Sequence, residues 1–322
     1  MAAYAAWMTL LLALFYLLPG GNNTVWTVVG LSSTAAVVTG IVHNRPQRKG
    51  PWILLAAALL VFISGDTLYN VFTDYLGYAD PFPSVVDVLY QLFFALLATA
   101  LLLLPHSVAS RDRSALLDSL TVTAGFGLLM WVFVIDPTIQ SENLGLLEKS
   151  ASISLALWDV LLLATGTRLI STVRRTPTVL LLAVGLFGML VSDVIYASAQ
   201  LQGIWEVGSA ADLGWFLCYA AWGAAALHPS MVSLTEPRTV WTSEVSTRRV
   251  LMLTLSSLIA PAVLFIEAQQ GRVDDAEAIA VLSATIFLLV LLRLAGVVAT
   301  HRQALARERG LREAGHALVA AT

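Results

Sequence analysis

Ten long apolar segments separated by short polar connections dominate the chain, and they predict a helical membrane protein. Most of them reach the roughly 20 apolar residues that an α-helix needs to cross the hydrocarbon layer. We therefore predict an all-α, polytopic membrane protein with about ten transmembrane helices. The segments cover about residues 4–18, 24–42, 52–73, 85–104, 115–135, 151–170, 179–200, 210–227, 250–268 and 277–299.

The basic residues alternate between the connections and predict how these helices are oriented. All Lys and Arg residues except Lys149 and Arg272 lie in the even-numbered connections, in the C-terminal tail, or in last turns on that same side. Basic residues near the ends of membrane helices are retained in the cytoplasm. The pattern therefore predicts a multi-pass protein of the bacterial cytoplasmic (inner) membrane with both termini in the cytoplasm.

Composition supports a membrane protein over a soluble one. Hydrophobic residues make up 58% of the chain and charged residues 12%, whereas soluble domains are typically about a quarter charged. The mean hydropathy is +0.79. Because Cys218 is the only cysteine, an intramolecular disulfide is excluded.

The chain repeats itself at an offset of about 127 residues. Residues 54–69 (LLAAALLVFISGDTLY) match residues 181–196 (LLAVGLFGMLVSDVIY), and the helices that follow begin PSVVDVLY at 83 and GSAADLGW at 208. The two copies cover about residues 24–135 and 151–268, and each contains four segments. An even number of crossings predicts two parallel copies related by an axis near the membrane normal.

Acidic and aromatic residues lie at equivalent depths in the two copies and predict a ligand-binding site. Ionisable groups inside a membrane are costly and usually face the bundle interior or a water-filled cavity. We therefore expect an acidic pocket that opens to the extracytoplasmic side and takes an unknown small ligand. The candidate ligand-binding residues are Asp66, Tyr69, Asn70, Asp87, Tyr90, Asp159, Asp193, Tyr196, Asp212 and Trp215.

Structural roles compete with ligand binding for several of these acids. The Ser-x-x-Asp spacing at 84–87 and at 209–212 is typical of a capping box, which favours a structural role there. Asp66 and Asp193 lie well inside their segments, where hydrogen bonds that hold neighbouring helices together are as good an explanation as a ligand. Asp118, in the first turn of segment five, is interpreted as a helix N-terminal acid.

The sequence carries no motif for a catalytic, metal or cofactor site. It lacks a Gly-rich phosphate loop, a nucleophile elbow and an HExxH pattern. Four histidines lie near segment ends and resemble helix terminators rather than ligands of a metal or haem: His43, His106, His228 and His301. We predict no catalytic residue and no metal site, and the cofactor stays undetermined.

The end of the chain is polar and predicts a cytoplasmic connector. Residues 301–322 follow a membrane sensor domain at residues 1–300. A seven-residue spacing is typical of a coiled coil and favours a homodimer, although a solvated juxtamembrane helix is the alternative. The residues with this spacing are Val297, Ala304, Leu311 and Leu318.

Several short motifs together resemble a known sensory region. They are GDTLY at 65–69, PSVVDVLY at 83–90, LLD at 116–118, ALHPS at 226–230 and LREA at 311–314. The first four as a set resemble the bacterial integral-membrane region that precedes GAF, GGDEF and EAL domains in cyclic-di-GMP signalling proteins, over about residues 50–232, and LREA resembles the lead into the next domain. The resemblance implies control of a diguanylate cyclase or phosphodiesterase, although neither a GGDEF nor an EAL motif occurs in the sequence.

Three functions are compatible with these patterns. The favoured one is a membrane-embedded sensor that detects an extracytoplasmic or membrane ligand and relays it through the C-terminal helix to cytoplasmic output domains. An ion- or proton-coupled small-molecule transporter is the first alternative, because duplicated bundles with acids near the repeat interface are also typical of transporters. A structural membrane scaffold is the second. The lipid bilayer is the expected environment, and nucleic acid is not an expected partner.

Overall fold

The structure of the chain, a computed structural model, describes residues 1–18, 22–77, 84–104, 113–173, 176–205, 207–234, 247–269 and 275–320. Every regular element in these ranges is a helix, which confirms the all-α prediction. The α-helices are α1 (Ala2–Leu17), α2 (Asn22–Asn44), α3 (Gly50–Asn70), α4 (Val85–Leu103), α5 (Arg113–Met130), α6 (Asp136–Gln140), α7 (Leu146–Thr172), α8 (Pro177–Leu201), α9 (Ala210–Leu227), α10 (Thr247–Gln269) and α11 (Ala276–Ala320).

Eight helical stretches in the described ranges are long and apolar enough to cross a membrane, which indicates a multi-pass membrane protein. They lie in α2, α3, α4, α5 with α6, α7, α8, α9 and the first part of α11. The other two predicted segments form shorter apolar stretches, Ala2–Leu17 in α1 and Leu253–Gln269 in α10. At 1.5 Å per residue each covers about 25 Å, less than the roughly 30 Å hydrocarbon layer.

Two helices continue directly into π-helical turns. These turns are Val71–Tyr75 after α3 and Trp131–Ile135 after α5. The second is followed by Pro137, which has no N–H to donate back into the preceding turn, so the regular hydrogen-bond pattern is interrupted there. Such turns are frequent at functional sites.

The described residues divide into two compact units, and the larger is a helical bundle formed by Met1–Ser110 and Phe126–Glu244. Within it, α8 packs along α9 and α3 along α4. Helix α2 packs against α3 and α9, and α7 packs against α4 and α8. Helix α1 lies on α2 and α9.

Aromatic side chains fill the centre of this bundle. Trp52, Phe93, Tyr219 and Trp222 are fully buried. The ring of Phe62 stacks between Phe93 and Tyr219, with centroid distances of 4.3 Å and 5.3 Å. This stack joins α3, α4 and α9.

Helices α8 and α9 approach closely because glycines face each other at their crossing. A Cβ atom added at Gly214 would collide with the Gly188 carbonyl oxygen and with Ser192 Oγ. Small residues of this kind allow two membrane helices to pack backbone against backbone. Gly127, by contrast, has no atom within 4 Å of an added Cβ.

We expect Gly214→Ala to lower the thermal unfolding midpoint of the detergent-solubilised protein, whereas Gly127→Ala should leave it unchanged or raise it. The added methyl at Gly214 must push α8 and α9 apart, at a cost of about 1–3 kcal/mol. At Gly127 it meets open space, and alanine favours the helix. Equal midpoints for the two variants would show that the close approach of α8 and α9 is unimportant for stability.

The second unit combines Arg111–Gly125 with Val245–Thr322. Helix α10 packs along α11, and Arg293 Nε of α11 lies 2.8 Å from Asp118 Oδ1 of α5. Both side chains are largely buried, 12% and 5% exposed. The interpretation of Asp118 as merely a helix N-terminal acid was therefore incomplete, because an arginine from a helix distant in sequence reaches it.

Helix α11 is one continuous helix of 45 residues. The domain boundary at residue 300 falls within this helix and stays a prediction. The heptad side chains Val297, Ala304, Leu311 and Leu318 lie outside the side chains that the structure describes, so coiled-coil pairing stays a prediction.

Candidate functional site

Asp66, near the end of α3, accepts hydrogen bonds from three neighbouring helices. Its Oδ2 accepts from Trp26 Nε1 of α2 at 2.8 Å and from Tyr219 Oη of α9 at 3.3 Å. Its Oδ1 accepts from Tyr90 Oη of α4 at 2.9 Å. Both carboxylate oxygens therefore have donors, and this acid links four helices.

Asp193, in the corresponding part of α8, has a different environment. Its Oδ1 accepts from Trp215 Nε1 of α9 at 2.7 Å. Its second neighbour is Asp159 of α7, and a hydrogen bond joins the two carboxyl groups when one of them is protonated. No other N–H or O–H group of the described residues donates to Asp193 Oδ2 or Asp159 Oδ1, although both atoms are buried.

Two ionised carboxyl groups in contact repel each other unless a proton or another positive charge lies between or beside them. Asp159 is only 3% exposed, so bulk water does not supply that screening. Neither acid forms an ion pair with a Lys or Arg side chain of the described residues. A shared proton or a bound cation must therefore hold the pair of Asp159 and Asp193 together.

Four aromatic rings lie in a chain that begins at Asp193. Trp215, which donates to Asp193, is 5.6 Å from Tyr196 between ring centroids. Tyr196 is 5.3 Å from Trp205, and Trp205 is 6.4 Å from Tyr69 of α3. The Nε1 of Trp205 is buried without a hydrogen-bond partner. Rings from α3, α8, α9 and the α8–α9 loop thus extend from the acid pair.

Two of the predicted site acids serve as helix caps. Asp87 Oδ2 accepts from the backbone N–H of Ser84 at 2.6 Å, and Ser84 Oγ accepts from Val86 N at 3.1 Å, as the capping-box spacing predicts. Asp212 Oδ2 accepts from the backbone N–H of Gly208 at 2.5 Å, but Ser209 Oγ is buried without a hydrogen-bond partner, so the capping box predicted at 209–212 is only half formed. Both acids bind the backbone at the start of a helix, so we do not place them in the candidate site.

The remaining predicted residue, Asn70, ends α3, and its backbone carbonyl accepts from Thr73 Oγ1 at 3.3 Å. Tyr69, the residue before it, contributes a ring to the aromatic chain, whereas Tyr90 belongs with Asp66. The predicted residues therefore separate into a satisfied cluster around Asp66 and a group around the pair of Asp159 and Asp193.

Several residues that contact these acids were not predicted from the sequence. Trp26 and Tyr219 donate to Asp66, and Trp205 bridges the rings of Tyr69 and Tyr196. No sequence pattern singled out any of these three residues, because their roles depend on which helices pack together.

Among the described residues, no group of three or more His, Cys, Asp or Glu side chains could hold a metal ion. The acid pair supplies two carboxyl groups, and the side chains beside it are aromatic. An arrangement of this kind is suited to a proton or an organic cation rather than to a metal ion with several oxygen ligands.

No protein-family model, curated protein or solved structure matches the chain. The resemblance based on short motifs therefore gains no support from whole-chain similarity and stays an expectation. The function has to be inferred from the side chains and helices themselves.

Proposed function

We propose that this chain is a membrane-embedded sensor that relays ligand binding through α11 to cytoplasmic output domains. The observation that carries the proposal is the length of α11. Its apolar stretch, Ala276–Gly296, is long enough to cross a membrane, and the same helix continues without interruption to Ala320. At 1.5 Å per residue the 24 residues beyond Gly296 extend about 36 Å. A rigid helix of that length transmits a shift or rotation from the membrane.

The route to α11 begins at the acid pair. Beside Asp159 and Asp193 in sequence lie Val160 and Val194, which both pack against a buried apolar cluster. That cluster is formed by Met130, Val134, Ile135 and Ala156, so it includes the π-helical turn after α5. A change in the spacing of α7 and α8 would therefore act on the end of α5.

Helix α5 provides the next step of the route. It is unbroken from Arg113 to Met130, and its N-terminal part carries Asp118, which pairs with Arg293 of α11. A helix moves more readily as a whole than by bending, and packed elements switch between discrete arrangements. We infer that ligand-dependent packing around the π-helical turn reaches α11 through this ion pair.

An internal duplication explains the helix pairing in the larger unit. In the proposed repeat α3 corresponds to α8, α4 to α9 and α2 to α7. The pairing of α2 with α9 then has its counterpart in the pairing of α7 with α4, as a two-fold axis requires. Tyr90, which donates to Asp66, likewise corresponds to Trp215, which donates to Asp193.

We propose ten crossings, with the shorter apolar helices α1 and α10 also in the membrane. Membranes thin locally around short helices at modest cost, so a stretch of about 25 Å still crosses. The positions of Lys and Arg then orient both termini to the cytoplasm. Parallel pairing of two copies of α11 would form a homodimer, and the motif resemblance makes cyclic-di-GMP turnover the expected output.

The proposal is tested by inserting one to seven alanines after Arg302 in a chain joined beyond Thr322 to a diguanylate cyclase reporter domain. We expect cyclic-di-GMP production to vary with helical phase and to recover near seven inserted residues. Seven residues make nearly two full turns, so the side of α11 beyond the insertion again points in its original direction. Seven Gly-Ser residues in the same place serve as the control that removes helix continuity. Output that is insensitive to the inserted length would show that α11 is a passive tether.

Transport is the second candidate function, and the paired arrangement of the two copies favours it. An acid pair near a repeat interface is also how coupled transporters bind their ions. Transport requires that the cation can reach the acids from both sides of the membrane, whereas sensing requires access from one side only. Cation uptake into proteoliposomes that contain the purified chain, abolished in Asp193→Asn, would establish the transporter instead.

A further inference from the structure

We propose that Asp159 and Asp193, with the rings of Trp215, Tyr196, Trp205 and Tyr69, form a binding site for a primary ammonium ion. This site deepens the proposed function. Its role in signalling rests on that function, whereas the binding of an amine does not. The ligand class is a protonated alkyl amine, whether free in solution or on an aminophospholipid headgroup.

The acid pair supplies the first part of this assignment. Apart from a proton that they share, Asp159 Oδ1 and Asp193 Oδ2 are buried acceptors to which no other group of the described residues donates. A primary ammonium group carries three N–H donors, so one such group can donate to both oxygens at once. Its charge also removes the repulsion between the two carboxylates. An inorganic cation of the same charge would satisfy the charge but would need further oxygen ligands.

The aromatic rings supply the second part. Trp and Tyr faces attract cations that lie within about 6 Å of a ring centroid, most strongly when water is excluded. Trp215 already contacts Asp193, and Tyr196 lies directly beside Trp215. Trp205 continues the series and keeps a buried Nε1 donor unused. The rings would therefore contact the alkyl part of an amine whose charge lies at the carboxyl groups.

Asp66 provides an internal comparison. It lies in the equivalent place of the other proposed copy, and its two oxygens receive donors from Trp26, Tyr90 and Tyr219. An additional cation there would have to compete with three existing hydrogen bonds. Asp159 and Asp193, by contrast, each keep one buried carboxyl oxygen that accepts no hydrogen bond from another N–H or O–H group of the described residues.

Binding exchanges one positive charge for another. In the empty site one proton lies between the two carboxyl groups, and in the occupied site the ammonium N–H groups donate to both carboxylates. The displaced proton leaves to solvent, so the charge of the site is conserved. Amine binding should therefore release close to one proton for each amine bound.

The test is isothermal titration of the full chain, purified in dodecyl maltoside, with propylammonium chloride in two buffers of different ionisation enthalpy. We expect saturable binding with proton release, and a loss of affinity of at least tenfold in Asp193→Asn and in Tyr196→Leu. Asp74→Asn is the matched control and should leave the affinity unchanged. Asp74 is exposed and already accepts a hydrogen bond from Asn23 Nδ2. Tyr196→Leu keeps the test decisive if the Asp193 variant does not fold.

Three results would overturn the site. The first is that sodium chloride at the same ionic strength gives the same heats as propylammonium chloride. The second is that both variants bind the amine with unchanged affinity. The third is a response to pH without amine binding, which would leave a proton as the only occupant.

Nanodiscs of phosphatidylcholine with or without phosphatidylethanolamine distinguish a free amine from an aminophospholipid headgroup as the ligand. If phosphatidylethanolamine competes with propylammonium for the site, the ligand is the lipid headgroup. If it does not compete, the ligand is a free amine. The insertion series on α11 does not depend on this binding assay, so the two proposals fail separately.

Discussion

Replacing Asp66 with leucine should destabilise the protein by about 2–4 kcal/mol, whereas the same replacement at Asp159 should be neutral or stabilising. Asp66→Leu removes the acceptor of three hydrogen bonds and leaves the donors of Trp26, Tyr90 and Tyr219 buried without partners. Asp159→Leu removes one of two carboxyl groups in contact and leaves Asp193 with its bond from Trp215. The two replacements should therefore differ by at least about 2 kcal/mol.

Thermal unfolding of the two detergent-solubilised variants, followed by circular dichroism, measures this difference. Size-exclusion chromatography confirms that each variant remains monodisperse before heating. Similar losses of stability for Asp66→Leu and Asp159→Leu would show that both acids hold helices together. In that case the acid pair would have no special status, and the amine site would lose its main support.

The second large effect is expected at the ion pair between Asp118 and Arg293. Asp118→Leu leaves a guanidinium uncompensated inside a largely buried part of the second unit, and breaking a buried pair in this way costs about 3–5 kcal/mol. Arg293→Leu should cost a similar amount for the opposite reason. We expect each single variant to be poorly folded, and the double variant Asp118→Leu with Arg293→Leu to regain most of the loss.

A double-mutant cycle on unfolding midpoints tests this expectation, since recovery in the double variant isolates the interaction between the two side chains. The exposed basic residue Arg302 provides the control, and Arg302→Leu should change the midpoint little. Additive losses in the double variant would show that each side chain acts through other neighbours. The same cycle in the reporter fusion would reveal whether the pair also carries the signal.

Helices and their apolar spans were predictable from the sequence because a lipid environment imposes a simple length and hydropathy rule. At α1 and α10 the apolar stretches are shorter, Ala2–Leu17 and Leu253–Gln269, so length and hydropathy alone do not decide whether these two helices cross the membrane. The π-helical turn at Trp131–Ile135 was also missed, although Pro137 signals a disturbance of the helix. Local composition does not reveal how a helix adjusts its hydrogen bonds.

The candidate acids were visible in the sequence because charge is rare inside apolar segments. Their partners were not, because contacts such as Trp26 with Asp66 or Asp118 with Arg293 depend on which helices pack together. The capping role of Asp87 is an intermediate case, since the acid and Ser84 are only three residues apart. Local interactions were therefore predictable, and interactions between helices required the structure.

One hydroxyl group distinguishes the surroundings of the equivalent acids in the two proposed copies. Tyr219 donates to Asp66, while the residue in the equivalent place of the first proposed copy is Phe94, which can donate to nothing. If both copies descend from one ancestral four-helix protein, the ancestor paired with itself and presented two identical acids. Fusion of two gene copies would then have freed each half to change alone. One acid could then become a fixed strut of the fold while its twin was left unsatisfied, a division that no symmetric dimer of one sequence can reach.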